Sequence, residues 1–338
     1  MAQRREFGVT ATKFFGLHID CPLCAGSDSV RVGDKDRHGE PLVTDLCRTC
    51  GHVFINPQPT EDELGRFYAN DYRASYKGVL TPKPKHIYRA GLRALERYRR
   101  THPFLKPHAR ILDVGSGGGE FTYLMTKVGY TARGLEPNRG YAEFAKSEYA
   151  IDIQVGSVLD NLDEDDKWDV ITLHHVLEHL ADPVSSLRRL SSSLSDEGVL
   201  VIEVPNVEAR YHGPRQRFHF AHLHTFSSEG LSYAARRAGL SVHDLSLQPQ
   251  TRHINVVLSK ASNQDVNIDS SVAARIEKHL RTDTPTRDFF TTRPYTRLWA
   301  NMTRPLREYL ALRKFTASRN PKAILDQMYV DVAPSSQS

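Results

Sequence analysis

The stretch ILDVGSGGGEF, Ile111 to Phe121, constrains the fold of this chain more than any other. A short apolar run meets a glycine-rich turn and passes at once into a helical pattern. Phe121, Leu124, Met125 and Val128 fall at i, i+3, i+4 and i+7, and Gly129 stops the helix. Gly115, Gly117 and Gly119 let the backbone turn tightly and come close to a ligand. The same rhythm recurs downstream. ARILDVG, TARGLEP, IDIQVG, WDVITLH and GVLVIEVP are short continuous apolar runs, as strands covered on both faces should be, and helical patterns separate them. One of these, DPVSSLRRLSSSL, has Asp182 as N-cap and Pro183 in its first turn. SVHDLSL and HINVVLS form a closing strand pair. The alternation predicts an α/β fold, a Rossmann-like, mainly parallel seven-stranded sheet with helices on both faces.

The flanks differ. Four cysteines, the only ones in the chain, form two C-x2-C pairs, Cys21/Cys24 and Cys47/Cys50, separated by 22 residues. Gly26 and Gly51 follow the pairs where a knuckle turn needs them. Four thiolates at this spacing can surround tetrahedral Zn(II) and leave it no open position, so the predicted role is a structural zinc ribbon. A redox dithiol would place one pair at a helix start after a strand, and the pairs here lie in Pro/Gly-rich sequence. The expected division is a zinc ribbon over 1–57, a helical linker or lid over 58–107, a ligand-binding domain over 108–261, and a basic helical extension over 262–338 with a disordered end. No apolar run of signal-peptide length follows the basic start, and the longest apolar stretch, VLVIEV, is strand-sized. A cytoplasmic protein with no membrane span is expected.

The glycine spacing is G-x-G-x-G. A dinucleotide fingerprint needs its third glycine at position 120, which is Glu120, and that carboxylate would repel a pyrophosphate. No Gly-Lys-Ser/Thr follows, which excludes a Walker loop. Asp113 at the strand end suits a cationic ammonium group, and Glu136, 23 residues on, can accept the hydrogen bonds of a ribose diol. A ligand with a ribose, no phosphate and a positive amino-acid end meets both conditions, which describes S-adenosylmethionine (SAM).

With CPLC, CRTCGHVFINPQP, RFYANDY, LDVGSGGGEF, GLEPN, HHVLEHLADP, DEGVLVIEVPN and HLHTFSSEGL in order, the chain resembles the class I SAM-dependent methyltransferases. In more detail it resembles their zinc-ribbon-bearing group, associated with modification of polysaccharide and secondary-metabolite sugars. The resemblance covers about residues 21–260 and implies that Asp113, Gly115, Ser116, Gly117 and Gly119 meet the methionine end of SAM and Glu136 its ribose. Pro137 and His174 complete the expected cofactor-binding set with Ser157, which stands where the family often has an acidic residue, so that Ser157 or a backbone carbonyl meets adenine. The resemblance further implies methyl transfer to a sugar hydroxyl of a nucleotide-linked or glycan acceptor. Alternatives are C-methylation of a nucleotide-linked deoxysugar, O-methylation of a quinone or polyketide, and tRNA modification.

Two histidine clusters flank the expected cleft. His174, His175, Glu178 and His179 follow the fourth strand of the alternating series. HVLEH there matches a metalloprotease signature by coincidence, since the segment leaves a Rossmann-like strand. Arg217, His219, His222 and His224 follow the fifth, in a loop able to cover the acceptor. O-methylation needs a base near the acceptor hydroxyl; His222 is the first candidate, ahead of His179 and His224. Charge adds a partner class. Lys83 to Arg110 holds nine Lys/Arg against the single Glu96, and Arg293, Arg297, Arg304, Arg307, Arg313 and Lys314 crowd together. Such faces are either solvated helix surfaces or attract an anionic partner: a nucleotide-sugar, a phospholipid-linked glycan, a membrane surface or RNA. The ribbon segment DSVRVGDKDRHGEPLVTD has nearly balanced charge and no aromatic stacking platform, which argues against nucleic acid.

Overall fold

In the computed structural model, the described residues are 16–60, 62–64, 83–157, 162, 166–209, 213–246, 252–261, 266–313, 315 and 320–332. The aromatic segment RFYANDY and the terminal APSSQS lie outside them.

A first sheet is antiparallel. Strands β1 (Ser29–Lys35), β2 (Pro41–Cys47) and β3 (Val53–Ile55) follow one another from the N-terminal side. Helix α1 (Pro84–Thr101) then leads into the alternating region: β4 (Arg110–Val114), α2 (Glu120–Lys127), β5 (Thr131–Glu136), α3 (Arg139–Tyr149), β6 (Asp152–Val155), β7 (Trp168–His174), α4 (Pro183–Ser192) and β8 (Leu194–Pro205). A two-residue strand β9 (His224–Thr225) precedes α5 (Ser228–Arg237), and β10 (Leu240–Ser246) and β11 (His253–Lys260) close the second sheet. Helices α6 (Ser271–Thr282), α7 (Pro285–Phe289), α8 (Arg293–Leu312) and α9 (Pro321–Met328) follow.

The second sheet has seven strands in the order β10-β11-β8-β7-β4-β5-β6. Strands β8, β7, β4, β5 and β6 are mutually parallel, while β11 runs antiparallel between β8 and β10. The chain goes from β4 to β5 on one side and returns to β7 on the other, so a crevice opens at the carboxyl ends of β4 and β7. The strands earn this position by composition. Ile111, Val114, Val170, Ile171, Leu173, Leu200 and Ile202 are all buried, because helices cover both faces. On one face α1, α2, α3 and α9 close over Ile87, Ile111, Phe121, Leu124, Tyr149 and Leu325. On the other, α4 and α5 bring Leu187, Leu190, Leu231 and Ala234 against Leu173 and Ile202. The caps agree with the sequence pattern: Asp182 accepts the N–H of Ser185, and Ser227 that of Gly230.

The flanks are less separate than their composition suggests. Strand β9, at residues 224–225, adds to the ribbon sheet, whose order is β1-β2-β3-β9. Helix α6, from the basic extension, packs Val272, Ala273, Ile276 and Leu280 on Leu46, Val53 and Ile55 of the ribbon. A side chain at Gly51 would strike the α6 backbone at Ala273, which explains glycine there beyond its positive φ of 73°. No helix among the described residues is long and apolar enough to cross a membrane.

Candidate functional site

The glycine turn sits at the carboxyl end of β4. Gly115, Gly117 and Gly119 have φ of 70°, 56° and 80°, the left-handed region that favours glycine, and a side chain on Gly115 would collide with Val176. Glu136, at the tip of β5, accepts the Gly117 N–H on Oε2 and the Asn138 N–H on Oε1, both at 2.8 Å. Burial pushes its carboxyl up, and the two backbone donors act against that. Each oxygen keeps a second lone pair for a ligand diol. Pro137 and Ser157 are exposed at the neighbouring strand ends, next to Glu136 and after β6.

Asp113 has a role that the sequence does not show. It is 3% exposed, and its oxygens accept the hydroxyls of Thr172 at 2.9 Å and Thr122 at 2.8 Å. It braces β4 against β7 and α2 from behind the turn, and each oxygen, like those of Glu136, keeps a second lone pair. Two polar side chains at the same crevice stay unpaired. Ser116 Oγ and both ring nitrogens of His174 are buried without a hydrogen-bond partner among the described residues. Burial holds His174 neutral, its ring set edge-on to Phe121 at 5.2 Å. Native proteins rarely leave buried polar atoms orphaned, so these mark a surface made for a ligand.

Beyond His174 lies a charged network that sequence reasoning missed in part. His175, with a φ of 61°, places Nδ1 at 3.2 Å from Glu178 Oε1 and Nε2 at 3.1 Å from Glu203 Oε1. Burial opposes its charge, yet the two carboxylates raise it to about 9. Arg97 and Arg100 of α1 reach the same Glu203 at 3.3 and 2.9 Å. Against the cost of burial, His175 and Arg97 hold Glu203 well below the usual carboxylate range. The signal was available: Arg89, Arg93 and Arg97 recur every four residues, with Arg100 three further on, which puts them along one helix face.

The second histidine cluster meets the first. His179 donates Nδ1–H to the carbonyl of Ala221 at 2.6 Å, which makes Nε2 its basic nitrogen; Nε2 lies 3.9 Å from Glu178 Oε1. The His222 ring stands edge-on to His179 at 5.0 Å, and His219 edge-on to His222 at 5.2 Å. Burial lowers His222 to about 4 and His219 to about 3, so both are neutral at neutral pH. The ligand atoms of Glu178, His179 and His222 lie within 4.8 Å of one another, and Glu178 Oε2 is buried without a hydrogen-bond partner among the described residues. This set can pass a proton or hold a cation. His224 does not join it. Fully buried in β9, it takes His52 Nε2 on Nδ1 at 3.1 Å and donates Nε2–H to Leu180 at 2.9 Å. The expected acceptor contact at His224 is therefore corrected to a link between ribbon and domain.

In the ribbon, Cys21 and Cys50 Sγ are 3.5 Å apart, as are those of Cys24 and Cys47, and all four lie within 4.8 Å. None forms a disulfide. Hydrogen bonding from the Cys21 thiol, aided by the Gly26 N–H, lowers Cys24 to about 7. Four sulfurs this close match the edges of a tetrahedron around one soft divalent ion. The knuckle packs on α5, where Arg237 Nη1 donates to the Leu23 carbonyl at 3.0 Å.

A family model described as a methyltransferase domain matches residues 86–245. Those residues are similar to a methyltransferase domain. The match starts two residues into α1 and ends one residue short of the end of β10, so it includes the glycine turn, His175, Glu178, Glu203 and the loop that carries His219 and His222. The chain is similar to ubiquinone biosynthesis O-methyltransferases: 28% identity to that of Azorhizobium caulinodans over 29% of this chain and 40% of the relative. Against that of Actinobacillus pleuropneumoniae serotype 5b the identity is 30% over 29% and 46%. The chain thus spans less than half the length of these curated relatives. A solved S-adenosylmethionine dependent methyltransferase from Mesorhizobium loti aligns at 16% identity and TM-score 0.41, covering 48% of this chain and 96% of that one.

Proposed function

We propose that this chain is a SAM-dependent O-methyltransferase whose acceptor enters between the glycine turn and the His179/His222 cluster. The observation that carries the reading is Glu136 at the tip of β5, joined to the Gly117 N–H of a G-x-G-x-G turn inside a region similar to a methyltransferase domain. SAM would supply an electrophilic methyl group on a sulfonium. The orphaned Ser116 and His174 fit its binding, with Glu136 toward the ribose and the glycine backbone toward the methionine end. His179, its tautomer set by Ala221, is placed to take the acceptor proton at Nε2, and the neighbouring Glu178 carboxylate stabilises the imidazolium that forms. His222 stands beside it as a neutral partner. The ribbon, with zinc on Cys21, Cys24, Cys47 and Cys50, would act as scaffold: β3 and the His52–His224 contact hold the loop that presents His219 and His222.

For the acceptor we favour a sugar hydroxyl on a nucleotide-linked or glycan substrate. The support is the resemblance to the zinc-ribbon-bearing group, together with the arginines of α1 at the crevice. A phenolic hydroxyl of a quinone precursor is the second reading, favoured by the names of the curated relatives. Incubation with methyl-labelled SAM and separate nucleotide-sugar, glycolipid and dihydroxyphenol acceptors tests both. Label in the sugar fractions supports the first, label in the phenol the second, and label in neither with no SAM binding refutes the activity itself.

A further inference from the structure

Helix α8 is amphipathic the wrong way round for a helix of a globular core. Tyr295, Leu298, Trp299, Met302, Leu306 and Tyr309 recur at i, i+3, i+4, i+7, i+11 and i+14, confined to an arc of about 100° at 3.6 residues per turn. All six are 56–66% exposed, and no residue of the helix is buried. The polar face is the one turned to the protein. Arg293 meets Asp283 at 2.7 Å and Asp288 at 3.0 Å, Arg297 meets Asp288, and Glu308 receives Arg89 Nη2 at 2.6 Å. Phe289 and Phe290, 61% and 82% exposed, extend the apolar surface at the N-terminal end. An exposed apolar stripe of this length on a pinned helix is an interaction surface.

The charges around it select the partner. Between Phe289 and Arg313 the single acid is Glu308, already paired with Arg89, while Arg304, Arg307 and Arg313 are exposed. At about 100° per residue Arg313 lies beside the stripe and Arg307 on its flank, while Arg304 lies on the opposite face, where its Nη2 donates to Asn301 at 2.9 Å. A second copy docked stripe to stripe would bury Arg313 against a helix whose one carboxylate, Glu308, is already taken by Arg89. A surface rich in phosphate answers Arg307 and Arg313 and takes up the Trp, Tyr and Leu side chains at once. We infer that α8 lies on the surface of a bilayer containing anionic phospholipid, its apolar stripe inserted at the boundary of headgroups and acyl chains and Arg307 and Arg313 at the headgroups. The inference does not depend on which acceptor is methylated. It does tie the lipid surface to the acceptor loop, because Asp283 binds both Arg293 of α8 and, at 2.6 Å, Arg217 of that loop.

The two tryptophans of the chain make the test direct, since Trp168 is 4% exposed in the core and Trp299 is 66% exposed on the stripe. Full-length protein is mixed with phosphatidylcholine vesicles with and without phosphatidylglycerol, and followed by sedimentation and tryptophan emission. Vesicles with phosphatidylglycerol should bind roughly tenfold or more tightly, with a blue shift of emission that salt reverses. Trp299→Glu and Leu306→Glu, both surface changes compatible with folding, should each cut binding by about tenfold or more. Equal affinity for both vesicle types, or full binding by both variants, overturns the assignment. So does a parent protein that is dimeric by light scattering, becomes monomeric in Trp299→Glu, and ignores vesicles; a second copy would then be the partner.

Discussion

His175 and Glu203 face each other at 3.1 Å, Nε2 to Oε1, across the carboxyl ends of β7 and β8. The contact joins neighbouring parallel strands at the mouth of the crevice, and Glu178 and Arg100 extend it to the acceptor side and to α1. Because the cation is sandwiched between two carboxylates, it should register in stability as well as in geometry.

The folded protein raises His175 from 6.5 to about 9. A group whose pKa is raised on folding contributes stability that is complete below the unfolded value and is lost as pH climbs through the folded one. The window is therefore about pH 6.5 to 9, and at roughly 1.4 kcal/mol per unit the contribution is at most about 3.5 kcal/mol. Thermal unfolding of the parent and of His175→Gln should differ clearly at neutral pH and converge above pH 9. A constant difference across the range would show that the imidazolium is not the source.

The ribbon should hold one zinc through its four sulfurs. Metal analysis of purified protein is expected to return one zinc per chain. Cys47→Ser should release it and lower the melting temperature, because metal binding to a structural site is folding free energy. The loss should reach the acceptor loop through β3 and β9, so hydrogen exchange around His224 should speed up in the variant. Four free thiols without metal in the folded parent would contradict the scaffold role.

Glu136→Ala should weaken SAM binding by roughly ten- to a hundredfold, the effect of about 1.5 to 3 kcal/mol from charge-assisted hydrogen bonds. Calorimetry measures it directly. Thr172→Val provides the contrast: it removes a hydroxyl that Asp113 uses and leaves the Glu136 contacts in place, so stability should fall more than affinity. An unchanged affinity in Glu136→Ala, or tighter binding of NAD than of SAM by the parent, would remove the cofactor assignment.

Much of this was legible in the residues. The central sheet shows itself because parallel strands covered on both faces must be apolar throughout, and the cysteine knuckles because a four-sulfur site needs its spacing. What escaped depended on partners far along the chain. Asp113 reads from sequence as a ligand contact alone, and its bracing of β4 shows only when Thr122 and Thr172 are brought to its two oxygens. His224 looks like part of a loop because a two-residue strand has no pattern of its own; β3 of the ribbon makes it one. The outward stripe of α8 was visible as amphipathicity, but which face is buried is decided by Asp283, Asp288 and Arg89, and periodicity alone cannot report that.

The choice of base changes for the same reason. On position alone His222 stands first, but burial lowers it to about 4, so it is already neutral and a poor proton acceptor at neutral pH. His179 has Nδ1–H fixed on the Ala221 carbonyl, which orients the ring as a third group orients a base, and Glu178 lies 3.9 Å from Nε2, near enough to favour the imidazolium. His179→Gln should therefore leave SAM affinity intact and lower turnover by roughly a hundred- to ten-thousandfold. His222→Gln should cost about tenfold or less and leave the pH profile unchanged near neutrality, since a group that titrates near 4 contributes no rising limb there. Chelation separates the remaining possibility. If Glu178, His179 and His222 hold an essential cation, turnover of the parent will collapse after treatment with chelator and return with a divalent metal while the ribbon keeps its zinc. If they act as base and partners, turnover will survive, and a His179→Gln variant with parent-like turnover is the result that would return the role to His222.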